Sequence, residues 1–261
     1  MQYGFVVPWA DAAEVGELAY VAEHHGWDGL FVWEPVWGVD AWVSLAVAAC
    51  RTSSIRLGTM LTPVPRRKPW ELAGQVATVD RLSGGRVVLG VGLGAPSSGY
   101  EAFGEVTDRH IRAELLDEGL AVLRGLWQGQ PFEFDGTHYH VAPCEFPAIG
   151  NTIQQPGVPI WCVGALGSRR SMQRALGCDG LIPQVVDANG ARQCTLEELQ
   201  HVDLPSGRPF DVVVEGAWTE HSPAAWAAAG ATWWIESMWG AMGEADPVGS
   251  ATDRLRAGPP S

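Results

Sequence analysis

A closed (β/α)8 barrel is the fold class this sequence predicts, on three observations. Eight strand-like segments alternate with eight helix-like ones from end to end of the chain. The strand-like segments are continuous apolar runs such as Val87-Val88-Leu89, as expected of parallel strands covered on both faces. The length, 261 residues, is close to the ~250 residues of a typical barrel of this type. A doubly wound open sheet is the structural alternative.

The strands are expected at Tyr3–Val7, Gly29–Trp33, Ile55–Leu61, Val87–Gly92, Ile160–Gly164, Gly180–Pro183, Asp211–Gly216 and Thr232–Glu236. Helices are expected at Ala12–His25, Trp42–Arg51, Trp70–Leu82, Arg109–Trp127, Ser168–Gly177, Leu196–Val202, Pro223–Ala229 and Val248–Arg256. The clearest unit runs from Ile55 to Gly94. An apolar strand stops at Thr62-Pro63, and Leu72, Val76, Val79 and Leu82 then recur at helical spacing. Pro69 suits the first helical turn, where its missing N–H costs nothing. The turn Ser83-Gly84-Gly85-Arg86 supplies glycine for a left-handed helix stop.

The largest irregular insertion spans Phe132 to Gly157. Asp135-Gly136, between Phe132-Glu133-Phe134 and Thr137–Val141, is a two-residue hairpin signal. His138 and His140 alternate along that hairpin and are expected to share one solvent-facing surface. Residues Ala257 to Ser261 read as a frayed tail, and the chain as one barrel domain over residues 1–261.

Composition narrows the function classes. Hydrophobic residues make up 46% and charged residues 18%, which implies a large core. A formal net charge of -13 argues against a nucleic-acid partner, since phosphate binding needs a concentrated basic face. Five cysteines without C-x-x-C spacing argue for reduced thiols and a cytoplasmic setting, with no metal centre. No basic-then-apolar leader opens the chain, and no apolar run approaches the ~18 residues of a membrane span. Most of the thirteen tryptophans are expected in packing roles; Trp33 and Trp239, which follow predicted strands, are expected to face the site.

In such a barrel, function sits on the loops after the strands. That rule selects Trp33-Glu34, Thr59–Thr62, Gly92–Gly94, Gly164–Arg170, Pro183-Gln184, Glu215–Trp218 and Glu236–Trp239. Gly90-x-Gly92-x-Gly94 either lets a flat ligand approach the backbone or reflects close barrel packing. Gly164, Ala165, Ser168, Arg169 and Arg170 lie at a helix start, where free N–H groups attract phosphate. Two arginines there make either a charge-assisted clamp or a solvated helix face. No H-E-x-x-H, G-x-S-x-G or P-loop pattern is present. A hydrolase or aldolase using Glu34 or Glu236 as base would need a strand-end lysine or metal cluster, and the single lysine, Lys68, falls in a loop.

The blocks VATVDRLSGGRVVLGVGLG, FGEVTDRHIRAELLDEGLAVLRGLWQGQPFEFDGTHYHV, PIWCVGALGSRRSMQRALGCDGLIP and ATWWIESMWG resemble the bacterial-luciferase-like superfamily of flavin- or deazaflavin-dependent oxidoreductases. The likeness covers nearly the whole chain. It implies FMN or coenzyme F420 held in the barrel mouth and a small-molecule substrate; a homodimer is the expected assembly. It also implies a bulge at Thr59, Met60 and Leu61, with a cis Met60–Leu61 peptide propping the ring, and a cofactor phosphate near Ser168 and Arg169. Two departures stand out. Relatives carry a histidine after the second-strand acid, where Glu34 is followed by Pro35, and often an arginine where this chain has Leu93. Glu34 is therefore the expected acid/base, or else a structural cap, with His110 and Asp108 as groups able to reach a substrate. The missing histidine keeps open a non-catalytic, cofactor-binding barrel.

Overall fold

The computed structural model describes residues 1–145, 151–187, 190–216 and 222–260. Eleven strands are present among them: β1 Gln2–Val7, β2 Gly29–Val32, β3 Arg56–Pro63, β4 Val87–Gly92, β5 Phe132–Asp135, β6 His140–Cys144, β7 Ile160–Leu166, β8 Gly180–Asp187, β9 Gly190–Gln193, β10 Asp211–Gly216 and β11 Trp233–Ser237. The helices are α1 Ala12–His24, α2 Ala41–Arg51, α3 Pro69–Ser83, α4 Arg109–Gln128, α5 Arg169–Leu176, α6 Leu196–Gln200, α7 Pro223–Ala228 and α8 Pro247–Arg256.

The sheet order β10-β11-β1-β2-β3-β4-β7-β8 closes on itself through a parallel β8–β10 pairing at Asp211↔Gly180. Eight parallel strands thus form the barrel, and the open-sheet alternative is excluded. Each expected strand and helix is found, with ends shifted by a few residues. Pro69 opens α3, and Gly84 ends it in the left-handed conformation (φ 72°).

Alternation along each strand sorts side chains to two cores. Inside the barrel, Val6, Phe31, Met60, Val88, Trp161, Ile182, Val213, Trp233 and Ile235 form one cluster, with every barrel strand represented. Three rings dominate it: Trp161 lies 5.4 Å from Phe31 and 5.2 Å from Trp233, centroid to centroid. Glycines make room for them. A β-carbon on Gly4 would meet Phe31 at 2.7 Å, and one on Gly180 would meet Trp161 at 2.5 Å. Trp161 also donates Nε1–H to Asp211 Oδ2 at 3.0 Å, so the ring's polar edge is satisfied inside the barrel. The opposite strand faces pack under the helices, as in the cluster of Leu30, Leu45, Leu57, Leu72, Val76 and Leu89.

The insertion carries the expected β5–β6 hairpin, but its turn is longer than Asp135-Gly136 predicts. Asp135 pairs with His140, which leaves residues 136–139 as a four-residue loop. The reason lies on α4: the Glu118 carboxylate accepts N–H bonds from Thr137, His138 and Tyr139 (2.7, 2.9 and 3.0 Å) and holds the turn open. The two histidines also part company. His140 is exposed beside Asp135, whereas His138 turns to Glu114 on α4 at 3.0 Å. Residues 146–150, the rest of the insertion's centre, lie outside the described residues.

Two further corrections concern the ends of elements. Strand β8 runs on past Pro183 and folds back antiparallel as β9, with Gln184 opposite Gln193. Residues 257–260 are docked rather than frayed, because Arg254 donates Nη1–H to the Gly258 carbonyl at 2.7 Å, and Ser261 lies outside the described residues. No described helix is long and apolar enough to cross a membrane.

Candidate active site

The site is built where β2, β3 and β4 end. Between β3 and β4 the register slips after Thr59↔Leu89 and resumes at Thr62↔Val91. The intervening Met60–Leu61 peptide is cis, at the bond expected. Opposite the bulge, Gly90 and Gly92 face inward. A β-carbon on Gly90 would overlap the Thr59 carbonyl, and one on Gly92 would sit 2.9 Å from Leu61. Close packing of the two strands therefore accounts for both glycines.

Glu34 stands immediately behind the bulge, with its side chain 5% exposed. Its Oε1 lies 3.2 Å from Arg67 Nη1 and 3.6 Å from Arg66 Nη2. Its Oε2 lies 3.0 Å from the Thr62 hydroxyl, which is itself 3.1 Å from Thr59 Oγ1; Thr59 donates to the Gly90 carbonyl at 3.0 Å. Thr62 has one proton to give, and a carboxylate outcompetes a neutral hydroxyl for it. Burial pushes the Glu34 carboxyl above the ordinary glutamate range, against the opposing pull of Arg67, Thr62 and Arg66. Arg67 also reaches Gln75 on α3, which fixes the loop that carries it.

A second group of buried polar atoms adjoins this one. The Tyr100 ring lies 5.3 Å from the Arg66 guanidinium and 5.8 Å from that of Arg112. Arg112, on α4, is 4% exposed and donates to the carbonyls of Leu93 (3.1 Å) and Gly94 (3.0 Å). Gly94 adopts φ 74°, and its missing side chain leaves room for the Tyr100 hydroxyl. Arg66 Nη1, Tyr100 Oη and Arg112 Nε are buried without a hydrogen-bond partner.

Across the mouth, Glu215 follows Val213 on the inward face of β10. Its Oε1 accepts from Trp239 Nε1 at 2.7 Å, and the polar side chains of Ser237 and Gln193 help to favour the ionised carboxyl. Burial raises this carboxyl too. Trp239 meets Trp33 edge-on with ring centroids 6.1 Å apart, and Trp33 is anchored by Nε1–H to the Pro8 carbonyl at 2.7 Å. Residues 217 and 218 of the Glu215–Trp218 loop lie outside the described residues.

The remaining expected residues are distributed as follows. Thr59, Met60, Leu61, Gly92 and Gly94 all line the β3–β4 end, as the sequence predicts. His110 is exposed in the first turn of α4, capped by Asp108, whose Oδ1 accepts the N–H of His110 and Ile111 at 2.9 Å each. Ala165 lies on the inward face of β7, while Gly164 faces α5, where a β-carbon would meet Met172 Sδ at 2.9 Å. Ser168 caps α5 by position, without a side-chain bond. The two arginines have different surroundings: Arg170 is engaged by Asp117 at 2.9 Å, while Arg169 is exposed and makes no such pairing. Glu236 is removed as a candidate base. It points outward from β11 and forms a two-pronged pair with Arg254, at 2.6 Å on each oxygen.

Arg66, Arg67, Tyr100, Arg112 and Glu215 are the site residues for which sequence reasoning assigned no role. Arg112 left one trace, since it shares the α4 face of Leu116, Leu120 and Leu123 at helical spacing.

The sequence profile described as luciferase-like monooxygenase matches residues 1–257. The chain belongs to this family. It is 34% identical over 163 residues to the F420-dependent glucose-6-phosphate dehydrogenase of Nocardia farcinica, a match covering 57% of this chain and 46% of that protein. The chain thus spans less than half the length of that relative. Its fold matches an F420-dependent secondary alcohol dehydrogenase with a TM-score of 0.73 at 16% identity, covering 90% of this chain and 92% of the other. It also matches the oxygenating constituent of 3,6-diketocamphane monooxygenase from Pseudomonas putida, solved with FMN, with a TM-score of 0.60 at 18% identity (83% and 67% covered). The Nocardia relative is thus named as F420-dependent, and the Pseudomonas neighbour was solved with FMN.

Proposed function

We propose that this chain is an F420-linked oxidoreductase acting on a small organic substrate, with FMN as the alternative cofactor. The observation that carries the reading is the slipped β3–β4 register, which puts the Met60–Leu61 backbone at the barrel mouth with the Glu34 network directly behind it. F420 is preferred because dehydrogenases using it are among the sequence relatives. FMN is kept because a structural neighbour was solved with it.

The residues present fit such a group. The register slip between Thr59 and Thr62 brings the Met60–Leu61 backbone to one wall of the mouth. Arg169, exposed and unengaged beside the α5 N-terminus, suits a phosphate there. Gly164 contributes its backbone, and Ala165 and Ser168 belong to the same loop. A bound deazaflavin would supply hydride chemistry, and a flavin would add reaction with O₂.

In this reading Glu34 holds or releases a proton through Thr62, because its own carboxylate is almost wholly buried. Arg66 and Arg67 keep the carboxylate in place. His110, at the start of α4, is the exposed imidazole available for exchange with solvent. A cytoplasmic homodimer belongs to the same reading, and light scattering on purified protein checks the assembly.

Visible absorption titrations of the purified protein with F420 and with FMN test the cofactor. Saturable binding of F420, followed by its bleaching on addition of an alcohol panel, is the expected result. Binding without any turnover would favour the cofactor-holding barrel that the Glu34-Pro35 departure motivates. Failure of both cofactors to bind would overturn the proposal.

A further inference from the structure

One carboxylate at the mouth has no part in the Glu34 network. Glu215 lies on the inward face of β10 and accepts the indole N–H of Trp239 at 2.7 Å. An ionised carboxylate offers about four acceptor positions, and the Trp239 indole N–H takes one of them, on Oε1. The residue is partly exposed at the barrel mouth.

The surroundings of Glu215 are aromatic. Trp239 is 38% exposed and braced edge-on by Trp33. Among the described residues, the hydrogen-bond donor to this carboxylate is the neutral Trp239 indole. The arginines Arg66, Arg67 and Arg112 belong to the β3–β4 side, where they engage Glu34 and backbone carbonyls.

We propose that Glu215, with the Trp33–Trp239 pair, forms a substrate subsite selective for uncharged, flat or apolar molecules that carry a hydroxyl. The tryptophan faces bury the apolar body of the molecule, and the free lone pair of Glu215 accepts its O–H. A charge-assisted hydrogen bond to this carboxylate discriminates against analogues that lack the donor. An anionic substrate such as a sugar phosphate meets a like charge there and is rejected. The subsite deepens the oxidoreductase reading by naming the substrate class, and it rests on that reading for its catalytic meaning.

Three probes separate the terms in isothermal titration calorimetry, with and without saturating F420 or FMN: 2-naphthol, 2-methoxynaphthalene and 2-naphthyl phosphate. The naphthol should bind about tenfold more tightly than either of the others. Glu215→Leu should bring naphthol affinity down to that of the ether while leaving the ether within about twofold. Glu215→Gln, which keeps the shape and one acceptor oxygen, should fall between and guards against a folding defect. The subsite is overturned if the phosphate ester binds as tightly as the naphthol, if Glu215→Leu keeps the preference, or if none of the three binds. Because binding is read without turnover, a preference found in a protein that fails the cofactor titrations would sink the redox reading and leave the subsite standing.

Discussion

The hydroxyl oxygen of Tyr100 occupies the space that a β-carbon on Gly94 would fill. That relationship ties the end of β4 to the turn before α4. It also brings Tyr100 between Arg66 and Arg112, so the backbone of one residue sets the position of three side chains. Gly94→Ala should therefore displace Tyr100 as well as strain a left-handed backbone. A loss of ~2–4 kcal/mol in urea denaturation is expected. Gly104→Ala is the control: it has a similar φ of 70° but open space around it, and should lose only ~1 kcal/mol. Equal losses for the two would show that the Tyr100 contact has no energetic weight.

Glu34 offers a test whose sign is fixed by burial. Its carboxyl is raised above the ordinary 4.5, so the folded protein holds that proton to higher pH than the unfolded chain does. The stability contributed is complete below 4.5 and is lost as pH rises through the folded value. Wild type should lose stability relative to Glu34→Gln on going from pH 4 to 8, since glutamine does not titrate. A pH-independent difference would mean that Arg66 and Arg67 keep Glu34 ionised throughout. Turnover of Glu34→Gln should fall ~10²-fold with cofactor affinity retained, if the carboxyl handles a proton in the slow step.

The two arginines at the start of α5 should separate cleanly. Arg169→Ala is expected to weaken F420 or FMN binding by ~1.5–3 kcal/mol, the range for a lost charge-assisted bond. Arg170→Ala should leave affinity unchanged, because Arg170 is engaged with Asp117 on α4. Absorption titrations of the two variants decide the matter. Unchanged affinity in the Arg169 variant would move the phosphate elsewhere.

Glu23 should show the opposite pH behaviour from Glu34. Partial burial raises its carboxyl, but backbone N–H bonds from Ile55, Ser54 and Ser53 outweigh that and bring it to about 2. Its contribution is present above 4.5 and lost as pH falls towards 2. In a Glu23→Gln variant the acid arm of the stability curve should flatten over that window. The effect at pH 7 should be about 1 kcal/mol or less, since the site is open to solvent. An unchanged acid arm would remove Glu23 as the link between α1 and the start of β3.

The barrel was legible because its signals are local. Apolar runs ended by Thr62-Pro63, Pro69 at a helix start and Gly84 at a helix end each declare themselves within a few residues. The site was legible in part. Barrel geometry pointed to Glu34, Thr59–Thr62 and Gly92–Gly94, and family likeness to the Met60–Leu61 peptide. What surrounds them was not readable, because it depends on contacts across about 20 or more residues. Arg67 finds Glu34 33 positions away, and Trp239 finds Glu215 24 positions away. The hairpin failed for the same reason. Asp135-Gly136 would favour a two-residue turn, but Glu118, from another element, takes three backbone N–H groups and resets it.

The Phe31, Trp161 and Trp233 rings have a kinetic consequence. They seal the lower half of the barrel, which makes it a cup with one rim rather than a tube with two openings. Any two ligands that react in the cup must share that rim as entrance and exit. Whichever sits deeper has to arrive first and leave last, so the traffic is a queue. Initial-rate patterns should accordingly show a compulsory order of binding, with the outer ligand exchanging while the inner one stays in place.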